Sequence, residues 1–153
     1  MEIVGGGNVF VFPESDELPH TGLEENWQES FVIIWYDPKQ SVGGFFRLAQ
    51  EPNCEGGLTQ IISTIFSPEG VFRRTAFLPL KPRHLTPNSL TSGDGSLHYE
   101  YDKGIKWSFR DSGIEMDIEV DAFVPPIDAL RREGTPGAEK YLGAHVDAGC
   151  SVT

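Results

Sequence analysis

The chain is poor in cysteine, in basic residues and in long apolar runs, and each shortage excludes something. Two cysteines, Cys54 and Cys150, stand far apart among 153 residues. One disulfide would use both, but a cytosolic chain keeps them reduced, and neither has a Cys or His neighbour at metal-ligand spacing. Lysine and arginine total 12 against 23 aspartates and glutamates, a net charge of −11. Binding to phosphate backbones needs a cationic footprint, so no nucleic-acid partner is expected, and an anionic membrane surface is disfavoured for the same reason. No stretch approaches the ~20 apolar residues of a membrane span. The N-terminus, MEIVGGGNVFVFPESDEL, is short of basic residues and turns acidic quickly. It does not fit a signal or transit peptide, and a cytoplasmic location is expected.

Recognisable catalytic motifs are also missing. The four histidines, His20, His84, His98 and His145, include no pair at zinc-ligand spacing. There is no nucleophile elbow, phosphate loop or dinucleotide fingerprint, and Gly5-Gly6-Gly7 precedes a short strand rather than opening a helix. Nothing in these spacings marks a metal, nucleotide or phosphate site.

What is present is a β pattern. Hydrophobic residues make up 39% of the chain and charged residues 23%, ordinary for one domain with a real core. Residues 1–28 read as an irregular segment packing on a β domain. Strand-like runs then recur at Glu29–Tyr36, Gly44–Gln50, Leu58–Phe66, Val71–Leu78, Leu97–Tyr101, Ile105–Arg110 and Ile114–Val124. Turn signals such as Asp37-Pro38, Pro68-Glu69-Gly70, Lys103-Gly104 and Ser112-Gly113 separate them. The fold expected over residues 29–124 is all-β: an antiparallel up-and-down meander forming a lipocalin-like β-barrel. Residues 125–153 read as a linker with a short helix over Ile127–Arg132, and a strand begins near Gly149–Thr153. The loop Pro79–Pro87 reads as a solvated crossover.

One register can be derived. If Ser112-Gly113 is a two-residue loop, Asp111 faces Ile114, Phe109 faces Met116, Trp107 faces Ile118 and Ile105 faces Val120. Arg110 then meets Glu115 and Lys106 meets Glu119 on the other face. A slip of one residue would destroy both matches. Glu115, Asp117, Glu119 and Asp121 therefore read as a solvated face balanced by Lys106 and Arg110, not as a cation site.

Phe31–Tyr36 behaves differently, being apolar at every position. A strand with one wet face should alternate. The expectation is a curled sheet with something packed outside it. Glu29 stands at the start of this strand. It could pair with a cation such as Arg47, or act as an acid or base against aromatic walls. Arg47 lies in Gly43-Gly44-Phe45-Phe46-Arg47, where the glycines suit a bend or a close approach of chains.

His20, Asn26-Trp27-Gln28-Glu29-Ser30, the apolar strand, Tyr36-Asp37-Pro38, Gly43-Gly44-Phe45-Phe46-Arg47 and Pro52-Asn53 together resemble the opening of a double-lipocalin family. That family includes the carotenoid 1,2-hydratases, also called hydroxyneurosporene synthases. The Trp107-Ser108-Phe109 hairpin also fits. The resemblance covers nearly the whole chain and matches the first of two barrels; the family's later Arg-Asp-His-Ser-Trp-Gly segment is absent. It implies half of a cofactor-independent hydratase, isomerase or cyclase acting on a hydrophobic terpenoid- or polyene-like molecule. A second barrel or a further copy would complete it. Glu29 is then the expected acid, tuned by His20 and Arg47, with Trp27, Trp35, Tyr36, Phe45 and Trp107 contacting substrate. Taken singly, each aromatic fits plain core packing better than substrate contact. A carrier for an apolar ligand and a scaffold half of a two-barrel assembly are the alternative readings.

Overall fold

The computed structural model describes residues 17–122 and, beyond them, strand residues 127–128, 146–147 and 150–152. The expected strands form as β1 (Glu29–Asp37), β2 (Val42–Glu51), β3 (Leu58–Ser67) and β4 (Gly70–Pro79), which pair antiparallel in the order β1-β2-β3-β4. Two short strands come next, β5 (Leu85–Thr86) and β6 (Ser89–Thr91), then β7 (Leu97–Tyr101), β8 (Ile105–Asp111) and β9 (Ile114–Ala122). β10 (Ile127–Asp128) pairs with β11 (Val146–Asp147), and β12 (Cys150–Val152) pairs with β9. The second large sheet runs β12-β9-β8-β7-β6-β5.

The protein is thus all-β, built from two antiparallel sheets of meander strands, an arrangement compatible with the expected barrel. Among the described residues there is no α-helix, and no helix is long and apolar enough to cross a membrane. Ile127 and Asp128 form a strand instead of opening a helix, and the rest of Ile127–Arg132 lies outside the described residues. The strand expected near Gly149–Thr153 is β12. Pro79–Pro87 is more ordered than a solvated crossover: a 3₁₀ turn at Pro82–His84 leads into β5, and His84 is buried.

The turns explain the meander. Asp37 Oδ1 accepts the Lys39 backbone N–H at 2.8 Å, closing the β1–β2 bend. Ser112 (φ 51°) and Gly113 (φ 78°) both adopt the left-handed conformation that a two-residue hairpin requires. The β8–β9 register is the derived one, from Asp111 opposite Ile114 to Ile105 opposite Val120. On its outer face Arg110 Nη2 binds both Asp117 oxygens, at 2.7 and 2.6 Å, while Lys106 Nζ lies 4.0 Å from Asp102.

The core lies between the sheets. Phe46, Leu48 and Ile61 from one and Leu97, Trp107 and Phe109 from the other are buried together. Phe46 stacks on Phe109 with ring centroids 5.3 Å apart, and Phe31 stacks on Tyr99 at 3.8 Å. Each such ring contributes about 1.5–3 kcal/mol through burial.

β1 does alternate in space. Phe31, Ile33 and Trp35 face the core, while Val32, Ile34 and Tyr36 face outward and are 48%, 78% and 57% exposed. The expectation that something packs outside this strand is corrected: nothing among the described residues covers those three side chains.

Candidate functional site

The inward face of β1 begins with Glu29, and pairing sets it opposite Gln50 of β2. Strand parity puts Gln50 in series with Phe46 and Leu48, and it is fully buried. The two polar residues therefore share one end of an otherwise apolar interior. Buried Gln50 and largely covered Glu29 need hydrogen-bond partners, and the N-terminal segment supplies them. His20 Nδ1 lies 2.7 Å from Glu29 Oε1, and the His20 backbone N–H donates to Oε2 at 2.8 Å. Gln50 Nε2 donates to Glu29 Oε2 at 2.9 Å and to the His20 carbonyl at 2.8 Å. Gln50 Oε1 is buried with no partner among the described residues.

A carboxylate only accepts hydrogen bonds, so the contact to Oε1 places the proton of a neutral His20 ring on Nδ1. Nε2 is then an acceptor, and no hydrogen bond to it is found among the described residues. The His20 side chain is 46% exposed and that of Glu29 only 16%, so the pair presents its imidazole to solvent and keeps its carboxylate covered.

Phe31 is the next inward residue of β1, and its ring lies on Tyr99. The Tyr99 hydroxyl donates to the Glu17 carbonyl at 2.6 Å. Burial, and then the Glu17 and Glu29 carboxylates, push the phenol well above its ordinary pKa, so it remains a neutral donor. Asn53 Nδ2 donates to the Gly22 and Glu24 carbonyls at 2.8 and 2.7 Å, holding the N-terminal segment against the β2–β3 loop. At this same end Glu25, Asn26, Gln28, Glu51, Cys54 and Glu55 line an open groove of about 680 Å³. Among the described residues, no group of three or more His, Cys, Asp or Glu is placed to hold a metal ion.

The structure brings Glu29 and His20 together. Arg47 is elsewhere: it lies on the outward side of β2, opposite Val32 and Ile62, and its guanidinium binds the Gln60 side chain. An outward position cannot reach an inward carboxylate across the sheet, so the Arg47–Glu29 pairing is corrected. The aromatic candidates do not form one wall. Trp35 and Trp107 belong to the core, and Tyr36 and Phe45 lie on the outward face of the first sheet. Trp27 lies in the N-terminal segment, its ring against Gly22 where a Cβ would come within 2.2 Å. Gln50 and Tyr99 were missed. The signal for Gln50 was available, as a polar residue in phase with Phe46 and Leu48.

Fold and site define an all-β protein of two packed meander sheets, with a carboxylate–imidazole pair anchored at one end of the interior. The chain belongs to the family of the domain of unknown function DUF7064, whose model matches residues 13–153. No curated protein and no solved structure matches the chain.

Proposed function

We propose that this chain is a lipocalin-like barrel that takes a hydrophobic terpenoid- or polyene-like molecule and moves a proton on it without an organic cofactor. In this reading it works in the cytoplasm as one half of a two-barrel assembly. The observation that carries the reading is the 2.7 Å contact between His20 Nδ1 and Glu29 Oε1, which leaves Nε2 without a protein partner among the described residues.

The roles differ from those expected of the sequence. Glu29 receives three hydrogen bonds and is the positioning residue; His20 is the group placed to exchange protons. Protonated Nε2 would give its proton to a carbon–carbon double bond. Water or an internal nucleophile would capture the cation, and the proton released would return to Nε2. The stacked Phe31 and Tyr99 rings are the aromatic surface nearest to Glu29 along the strand, the type of surface that steadies a cation.

The test is incubation of the chain with a panel of polyenes and terpenoids in D₂O, read by mass spectrometry. The proposal expects deuterium on carbon, lost in His20→Ala and reduced about 10²-fold or more in Glu29→Gln. Binding without deuterium incorporation would replace it with the carrier reading. Neither binding nor incorporation would overturn both.

A further inference from the structure

The outward face of β1–β4 is unusual for an antiparallel sheet, whose solvent side is normally polar. Val32, Ile34, Tyr36, Phe66, Val71 and Phe77 are 43–78% exposed there. Pairing makes them contiguous: Tyr36, Gly43, Phe66 and Val71 form one row across four strands, and Ile34 and Val32 open the next two. Scattered apolar residues are ordinary on a surface, whereas a continuous patch marks an interaction site.

The patch is shaped as well as apolar. Gly43 lies beneath the Phe66 ring, and a Cβ there would come within 2.4 Å of it. The ring can therefore lie flat and run beside Tyr36, with centroids 6.2 Å apart and planes 24° apart.

Its charge is opposite to that of the chain. Among 23 acidic and 12 basic residues, the charged side chains in these rows are Arg47 and Arg73. Arg47 stands between Val32 and Ile62, and Arg73 beside Thr64. Arg47 binds Gln60, and neither arginine is in an ion pair among the described residues. Among the described residues of this sheet the one outward acid, Glu51, lies at the far end of β2.

We propose that this face docks an amphipathic helix of another protein, one that sets apolar side chains on the patch and carboxylates against Arg47 and Arg73. Four strands about 4.8 Å apart span ~15 Å, enough to seat one helix ~10–12 Å across. The same face of a second copy would add two more arginines and no carboxylate to these rows, and a net charge of −11 opposes an anionic bilayer. The proposal is independent of the proton-transfer reading, because the two sites lie on opposite faces of the sheet.

The experiment uses the whole chain and two synthetic helical peptides with identical Leu/Phe faces, one flanked by Glu and the other by Lys. Binding is followed by amide chemical shifts and calorimetry. The Glu peptide should bind at least tenfold more tightly, with shifts at Ile34, Phe66 and Arg73 and none at His20, and added salt should weaken it. Arg47→Glu with Arg73→Glu should reverse the peptide preference. Equal affinity for the two peptides, or no binding of either, would overturn the proposal. So would self-association by light scattering that Ile34→Asp abolishes, which would assign the face to a second copy. Binding to phosphatidylglycerol vesicles in place of the Glu peptide would assign it to lipid.

Discussion

Glu29 holds His20 twice, by the imidazole Nδ1 at 2.7 Å and by the backbone N–H at 2.8 Å. The two contacts use different carboxylate oxygens, so the ring and the chain carrying it are fixed by one side chain. Gln50 closes the arrangement from β2 by donating to both partners. An irregular segment is thereby attached to a sheet, and an imidazole edge is left facing outward.

Glu29→Gln should therefore loosen the segment as well as the ring. An amide cannot accept on both sides, and at least one of three donors loses its partner. The expected cost is about 1–3 kcal/mol in urea unfolding, with faster hydrogen exchange at the His20 amide. His20→Ala keeps both backbone contacts and should cost less.

Arg74 ties the sheets together at a second point. Its guanidinium reaches Asp94 and Asp111, both at 2.6 Å. Burial raises the pKa of Asp94, but the Ser96 backbone and hydroxyl, the Ser92 hydroxyl and Arg74 outweigh it and hold the carboxyl well below its ordinary 3.8. A depressed carboxylate stabilises the fold above its unfolded pKa, and the contribution is lost as pH falls through the folded value. Stability should therefore decline as pH drops below about 4. Asp94→Asn should flatten that limb in thermal melts taken as a function of pH.

His84 gives a separate pH signature. Burial, then the nearby Arg83 and Lys81 charges, lower its pKa from the ordinary 6.5. The unfolded chain then takes up a proton before the folded one does. This contribution is complete above the unfolded value and shrinks as pH falls from about 6.5 toward the depressed folded value. Replacing His84 with Gln should remove the slope in that window and leave the more acidic limb from Asp94 in place.

Neighbouring phenylalanines should behave oppositely. Phe46 is fully buried against Phe109, whereas Phe45 points outward. Phe46→Ala should cost about 3–5 kcal/mol. Phe45→Ala should change chemical-denaturation midpoints little, within about 1 kcal/mol.

Legibility in the sequence tracked the contrast between faces. In β8–β9 apolar and charged residues separate cleanly, so the register from Asp111–Ile114 to Ile105–Val120 could be derived from the residues alone. In β1 both faces are apolar, so parity was invisible, and with it the fact that Val32, Ile34 and Tyr36 face solvent. The same blindness put Arg47 beside Glu29. With the β1–β2 register in hand, Gln50 falls opposite Glu29 and Arg47 on the other side. β5 and β6 were missed because two- and three-residue strands carry no period. His20 came from the family resemblance, since a contact nine residues away through an irregular segment leaves no spacing signal.

The central claim is that Glu29 fixes the His20 tautomer and leaves Nε2 free to exchange protons with a ligand. The most direct measurement is ¹⁵N NMR of the His20 ring at neutral pH, before and after addition of an apolar polyene. The account predicts a proton on Nδ1, held by Glu29, and a ligand-induced shift at Nε2 that His20 loses in Glu29→Gln. A neutral ring with its single proton on Nε2 and none on Nδ1, or an Nε2 signal indifferent to every ligand tried, would contradict it.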